Sequence, residues 1–451
     1  MNIARSVRKS VAVYRESVLV KRLFAVLSID ILVKISGMLL LPVYLRLMTQ
    51  DDYGLYNYLI SIILTFSLVL NFGLYIPLSK YYHDHLERQD RGELLFTLFA
   101  MLLALLAVVL VPVYFFHWDY RIVRILFKNK MPYDDYRNSI LLAIVASVCN
   151  FMLANFFYTS ERIGHLQRYN ICRIIAINVL AVSFLIILKT RGDSARIRLE
   201  CTYAVEMLLF LIFCYSYVKE VQVRFNRKMA VASLRLATPV LLSAIFGIVI
   251  NFSDKFFLEK YASFKDLSYY FLAVSCASLI PLIFTSFQNA WLPLFLKEKD
   301  LHKNIAKTNR LLLRLFLIFA VLSLFILLFL KIVLVLGIIQ RKYSEAIYIL
   351  PIMLASQIAA AMVPLYSNYL IYFEKTHITS ILGLSLCCIS FGLSILLIPR
   401  FGVYGAASVS LICNICYLAC YYFVIRRYIA NHKKSSWEPQ KGQTSIDHTS
   451  I

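Results

Sequence analysis

The segment 24-FAVLSIDILVKISGMLLLPVYL-45 is apolar over a length that crosses a bilayer, yet it holds Asp30 and Lys34 one helical turn apart. A charge at the centre of a span costs about 2.5–3.5 kcal/mol on insertion scales. A segment that serves only as an apolar anchor has no reason to carry two such residues. What they do depends on the kind of membrane protein that surrounds them.

Similar runs recur along the whole chain. A transmembrane helix needs about 20 mostly apolar residues. Such stretches are read near 23–47, 56–79, 95–116, 139–159, 171–189, 201–218, 236–257, 268–293, 311–337, 346–373, 378–398 and 403–425, twelve in all. The ninth exceeds one perpendicular crossing, so it is expected to tilt or to run out into the interface. The runs are continuous and rich in Leu and Ile rather than alternating every second residue. The fold class is therefore an all-α polytopic membrane protein and not a barrel. Of its 451 residues 60% are hydrophobic and the mean hydropathy is +0.71, which excludes an ordinary soluble domain. The first span is too long for a cleavable signal, and no small-x-small site follows it.

The formal charge of +22 does not point to nucleic acid, because Lys and Arg are scattered over many short loops. Counted with the span ends, 29 of the 47 lie on the side that carries both termini and 17 on the other, with Lys34 inside a span. The positive-inside rule then places both termini in the cytoplasm. Ten cysteines fall in or beside spans, with Cys201 the one expected outside. Cys413 and Cys416 form a C-x-x-C spacing without the further ligands of a metal site. The expected division is a basic leader (1–22), an N-lobe (23–220), a cytoplasmic linker (221–235), a C-lobe (236–428) and a polar, disordered tail (429–451).

The chain also repeats itself. The stretch 49-TQDDYGLY-56 aligns with 263-SFKDLSYY-270 at an offset of 214. At an offset of 207, 136-YRNSI aligns with 343-YSEAI, 167-QR with 374-EK, and 182-VSFL with 389-ISFG. Six spans are thus repeated by six spans. An even number per half gives both halves one orientation, related by a pseudo-two-fold axis along the membrane normal, as in two-lobed transporters.

With 42-PVYLRLMTQDDYGLYNYL-59, 71-NFGLYIPLSKYY-82, 254-DKFFLEKYASFKDLSYYFLA-273, 343-YSEAIYILPIML-354 and 400-RFGVYGAASVS-410 in this order, the chain resembles the polysaccharide-biosynthesis flippases. These belong to the multidrug/oligosaccharidyl-lipid/polysaccharide exporter superfamily. It departs from the family pattern at Ser268, where a Gly usually precedes the aromatic pair. The resemblance implies alternating access in a bacterial inner membrane. The substrate implied is an oligosaccharide on undecaprenyl diphosphate, moved from the cytoplasmic to the periplasmic leaflet and built into O-antigen of lipopolysaccharide, capsule or a similar glycan. It implies no cofactor, and as partners the bilayer, a polysaccharide polymerase and chain-length proteins.

Such a substrate has an anionic diphosphate, a polar sugar and an apolar tail, so intramembrane cations and amides are the candidate contacts. Lys34 lies about 15 Å into its helix, near the midplane. With Asp30 it forms either a neutralising i,i+4 pair that lets the helix insert, or a phosphate contact beside a proton acceptor. Asp254 and Lys255 near the outer end of the seventh span are either interface anchors or a headgroup contact at a gate. Glu206 stands alone in the sixth span and is the second candidate for coupling. Lys80, beside Tyr81 and Tyr82, suits a sugar-phosphate entrance as well as it suits the aromatic belt. Asn71, Asn251, Gln288, Asn289 and Trp291 suit sugar hydroxyls or interhelical hydrogen bonds. Arg314 and Lys331 are read as snorkelling residues. Pro42, Pro77, Pro281, Pro351 and Pro364 with Gly37, Gly73 and Gly247 are points of bending or tolerated kinks.

Three other readings compete. A drug exporter of the same superfamily would carry cations and favour an acid-lined cavity, whereas the intramembrane charges here are mixed. A membrane polysaccharide polymerase would be expected to carry a large periplasmic loop, and no loop exceeds roughly two dozen residues between ~20-residue spans. The chain is accordingly read as a transporter and not an enzyme. A passive scaffold would not need intramembrane charges.

Overall fold

A computed structural model describes residues 36–84, 88–128, 131–188, 193–298, 300–373, 375 and 377–435, and these are helical nearly throughout. The helices in chain order are α1 (Ser36–Leu47), α2 (Gln50–Leu70), α3 (Tyr75–Asp84), α4 (Arg88–Phe115), α5 (Trp118–Leu126), α6 (Tyr133–Thr159) and α7 (Ile163–Leu188). They continue as α8 (Ser194–Val218), α9 (Arg227–Tyr261), α10 (Phe264–Ala277), α11 (Leu279–Lys297), α12 (Leu301–Val335), α13 (Ala346–Tyr372) and α14 (His377–Ser435). Among the described residues, nine helical stretches are long and apolar enough to cross a membrane by themselves. The described end of the first span, α9, and the division of α14 at Gly402 bring the number to twelve. Successive spans reverse direction. One face of the bundle therefore carries the odd-numbered loops and the other the even-numbered loops and the end of α14.

Five helix starts at these faces are satisfied by side chains. Thr49 accepts from Asp52 N, Asp193 from Ala195 N, Asn226 from Met229 N, and Asp300 from His302 N. Ser263 and Asp266 complete a reciprocal capping box. Thr49 and Ser263 occupy equivalent places in the 214-residue repeat, so the two halves start their second spans with one device. The repeat also reaches the span interiors. The second span breaks between Leu70 and Tyr75, with Phe72 and Gly73 in the left-handed region, and the eighth breaks at Ser278. Asn71 and Ser278 are 207 residues apart, and Pro77 and Pro281 follow the respective breaks. Tyr136 and Tyr343, the aligned tyrosines of the second repeat match, are both fully buried.

The GxxGAA entry to the last span has a direct structural reading. Gly402 takes φ +54° and ψ −127°, which reverses the chain inside α14. A Cβ on Gly405 would lie 2.5 Å from Leu397 O, a contact possible only if the eleventh and twelfth spans fold back on each other. Ala406 and Ala407 are fully buried in the same crossing.

Several boundaries differ from the sequence reading. The sixth span begins at Ser194, so Arg196, Arg198 and Cys201 lie on helix rather than in a loop. The ten cysteines are all free. Of the expected linker 221–235, only the residues up to Asn226 are non-helical; from Arg227 the chain is already α9. The last helix runs to Ser435, past the expected start of the tail. The third-to-fourth loop contains α5. The leader 1–22 and residues 436–451 lie outside the described residues.

Candidate functional site

The two halves meet most closely where α2 lies along α10, the repeat-related helices of the second and eighth spans. Small residues set this distance. A Cβ on Gly54 would stand 1.9 Å from Phe264 O, so the two backbones are nearly in contact. Ser268, the repeat equivalent of Gly54, is fully buried and turns its hydroxyl back onto Lys265 O at 2.6 Å. The departure from the family's Gly is thus absorbed by an intrahelical hydrogen bond.

Around this crossing, side chains from one half reach main-chain oxygens of the other, all at the odd-loop face. Arg46 donates to Gly337 O (2.7 Å) and Ile338 O (3.0 Å). Gln50 donates to Lys342 O at 2.7 Å, and the Lys342 ammonium approaches Met48 O at 3.4 Å. Tyr53 meets Tyr343 edge-on at 6.2 Å, and Tyr58 stacks on Phe252 at 5.9 Å. Lys128 N donates to Glu259 at 2.8 Å. Toward the other face the packing between halves runs through α9, where Gly73 comes close to Ala237 O. The contacts between the halves are thus densest at the odd-loop face.

The residues singled out from the sequence are distributed over both halves. Asp30 and Lys34 lie outside the described residues, as does the side chain of Asn251. Asp254 is buried in the C-terminal half, 3.1 Å from the Lys255 ammonium, and accepts a short hydrogen bond from Tyr270. The Tyr270–Asp254 bond therefore ties α9 to α10. Gln288 donates to Asn368 Oδ1 at 2.8 Å, linking α11 to α13. Gln288 Oε1, Asn368 Nδ2 and Trp291 Nε1 are buried without a hydrogen-bond partner. Asn71, at the break of the second span, is 1% exposed and neither polar atom of its side chain has a partner. Buried polar atoms left unpaired are unusual. Among the described residues, these two clusters, Asn71 in one half and Gln288–Trp291–Asn368 in the other, are the places where unsatisfied amide and indole groups remain. Asn289, Lys80, Arg314 and Lys331 are exposed. The Lys80 ammonium lies 5.8 Å from the Tyr81 ring, and Tyr82 donates to Glu220.

Glu206 does not stand alone. Arg173 of α7 bridges it, with Nε 2.9 Å from Oε1. Around the pair, Tyr169 donates to Asn150 at 2.6 Å and Asn150 donates to Glu206 O at 3.2 Å. Arg173 escapes a reading of the sequence because its acid is 33 residues away on another helix, beyond any i,i+4 signal. Arg198 lies ahead of the expected span 201–218, on the same helix as Glu206. In the structure its guanidinium is stacked between Tyr44 (3.6 Å) and Tyr56 (4.1 Å). Among the described residues no group of three or more His, Cys, Asp or Glu side chains is placed to hold a metal ion.

Comparison with solved structures agrees with this architecture. The lipid II flippase MurJ in an inward closed conformation is similar with a TM-score of 0.71 at 15% identity, over 89% of this chain and 87% of that one. A multidrug resistance MATE family transporter of the MOP superfamily, inward-facing, gives 0.66 at 14% identity over 90% and 99%. An outward-facing MATE family transporter gives 0.54 at 14% identity over 92% and 95%. No curated protein sequence matches the chain. The family described as polysaccharide biosynthesis protein matches residues 19–299, more than half of the sequence. On the fold of the MOP-superfamily transporters, this multi-pass membrane chain belongs to the polysaccharide biosynthesis protein family.

Proposed function

We propose that the protein is a flippase that moves an undecaprenyl-diphosphate-linked oligosaccharide from the cytoplasmic to the periplasmic leaflet of a bacterial inner membrane, for O-antigen or another surface polysaccharide. The observation that carries this reading is the family match on two repeated six-span halves whose closest mutual contacts, read as a closed gate, lie at the odd-loop face. The excess of Lys and Arg on the even-loop side supports cytoplasmic termini, which makes the closed face periplasmic and the conformation inward-facing. Alternating access then requires the Arg46, Gln50 and Lys342 contacts to open while the halves close at the other face.

In this cycle Lys34 is the diphosphate contact and Asp30 its neighbour in the resting state. Asn71 and the Gln288–Trp291–Asn368 cluster offer unsatisfied donors and acceptors to sugar hydroxyls. Asn251 and Asn289 are further candidates of that kind, and Lys80 is an entrance contact. Asp254 and Lys255 hold the C-terminal half together beside the gate. Glu206, bridged by Arg173, is the coupling candidate. An inside-negative potential assists outward movement of a doubly charged headgroup by about 4.6 kcal/mol per 100 mV.

Deletion in the native host tests the proposal, with lipid-linked sugars, surface glycan and drug sensitivity measured in parallel. Loss of surface glycan with undecaprenyl-linked units accumulating on the inner side is the expected result. Intact glycan with new drug sensitivity would overturn it in favour of a drug exporter.

A further inference from the structure

An apolar cavity of about 320 Å³ lies in the N-terminal half between α2, α4 and α6, under the short helix α5. Arg46, Gln50 and Lys342 do not line it, whereas Leu70 and Phe72, at the break of the second span, do. Leu59, Phe66, Leu110, Val113 and Ile144 form its walls, and Ile122, Val123 and Leu126 of α5 form its roof. Walls of this chemistry do not hold ordered water. The apolar filler that surrounds a membrane protein is the acyl chain.

The roof helix is built for an interface. Its cavity side is apolar, while Trp118, Arg121 and Ile125 form an exposed stripe at i, i+3, i+7 spacing, with Arg124 and Lys128 beside it. Phe115 and Phe116, 72% and 69% exposed, precede it as an aromatic rim. Charge is distributed unevenly here. Asp119 is taken by Arg137 and Tyr133, and Asp134 by Tyr120. Arg121 and Arg124 have no ion pair among the described residues. One further group faces the cavity: Asp119 Oδ1 is buried without a hydrogen-bond partner and accepts a donor.

We propose that this cavity is a binding site for an anionic phospholipid of the surrounding leaflet. One acyl chain enters beneath α5, and the phosphate rests on Arg121 and Arg124. A glycerol headgroup supplies a hydroxyl near Asp119, so phosphatidylglycerol is the probe of choice. The site is independent of what the protein carries.

Native mass spectrometry of the full chain, released from micelles containing equal phosphatidylglycerol and phosphatidylcholine, tests this. Wild-type protein is expected to retain phosphatidylglycerol preferentially. Arg121→Gln with Arg124→Gln is expected to lower that retention at least five-fold. Ile144→Trp, which fills the cavity without touching the arginines, is expected to lower retention of both lipids. Arg310→Gln, an exposed cation on the other face, serves as control and is expected to change nothing. Equal retention of the two lipids by wild type overturns the proposal. So does wild-type retention in the double variant, or an equal loss in the control.

Discussion

Replacing Gly54 with Ala isolates the gate from the rest of the molecule. In the closed state the new methyl would lie 1.9 Å from Phe264 O and 2.8 Å from Phe264 C, where ordinary contact begins near 3.4 Å. The helices must therefore separate by roughly 1.5 Å, or the backbone of α10 must shift by as much. Overpacking of this kind costs about 1–3 kcal/mol. Against it stands the better helix propensity of Ala, about 0.8–1.0 kcal/mol. That gain is present in open and closed states alike, because α2 is helical in both, so it cancels in their ratio. The clash exists only when the gate is shut. A penalty of about 1–3 kcal/mol lowers the closed population relative to the open one by about 5- to 150-fold. Disulfide formation between Gln50→Cys and Lys342→Cys reads this population, in a background with the ten native cysteines replaced. Gly392→Ala is the control, since nothing lies within 4 Å of its added Cβ. A closed-to-open ratio of the Gly54→Ala protein within two-fold of its parent's would refute the reasoning.

Three other perturbations have definite signs. Arg173→Gln strands Glu206, which is 4% exposed, and is expected to destabilise by about 3 kcal/mol; Glu206→Gln leaves an arginine that is 39% exposed and costs less. Melting of the two variants and of the double variant in detergent checks the order, and the double variant is expected to recover part of the Arg173→Gln loss. At the odd-loop face, burial and then the nearby Asp52 carboxylate push Asp193 up to about 6 from 3.8. Because this carboxyl binds its proton more tightly in the folded state, its contribution is full below about pH 4 and lost as pH rises through 6. Melting temperature should therefore fall from pH 5 to 7.5, and Asp193→Asn, which keeps a capping side chain, should flatten that slope. Lys34→Ala, at normal protein levels, should abolish export of surface glycan; unchanged export would remove Lys34 from the substrate path.

What could be read from the sequence follows from which interactions are local. Twelve spans came from apolar runs, because length and hydropathy are properties of a single segment. The repeat came from short capping and aromatic motifs, and Thr49 and Ser263 show why these persist: a helix start at a membrane boundary needs an acceptor at a fixed register. Helix ends were misplaced where polar residues continue a helix into the interface, as from Ser194 to Glu200 and from Arg227 to Arg235. Pairings across helices were not legible at all. Glu206 looked solitary because Arg173 belongs to another span, and Arg198 looked like a loop cation because its two tyrosine partners lie about 150 residues earlier. The main-chain oxygens that receive Arg46 and Gln50 have no side-chain signature.

The repeat also explains why the gate consists of so few side chains. A pseudo-two-fold axis brings α2 against α10, so each half presents the same helix start to the other. Perfect symmetry would place Gly or Ser at both contact points, and the chain uses one of each. Gly54 permits backbone contact on one side, while Ser268, folded onto its own helix, fills the equivalent place on the other. The remaining contacts are hydrogen bonds from long polar side chains to loop carbonyls, Arg46 to residues 337 and 338 and Gln50 to Lys342. Such bonds are worth about 0.5–1.5 kcal/mol each in net terms. A few of them, together with the close backbone packing, hold a closed state by only a few kcal/mol. A transporter needs a margin of that size, since a gate closed much more firmly would not reopen on the binding energy of one substrate molecule.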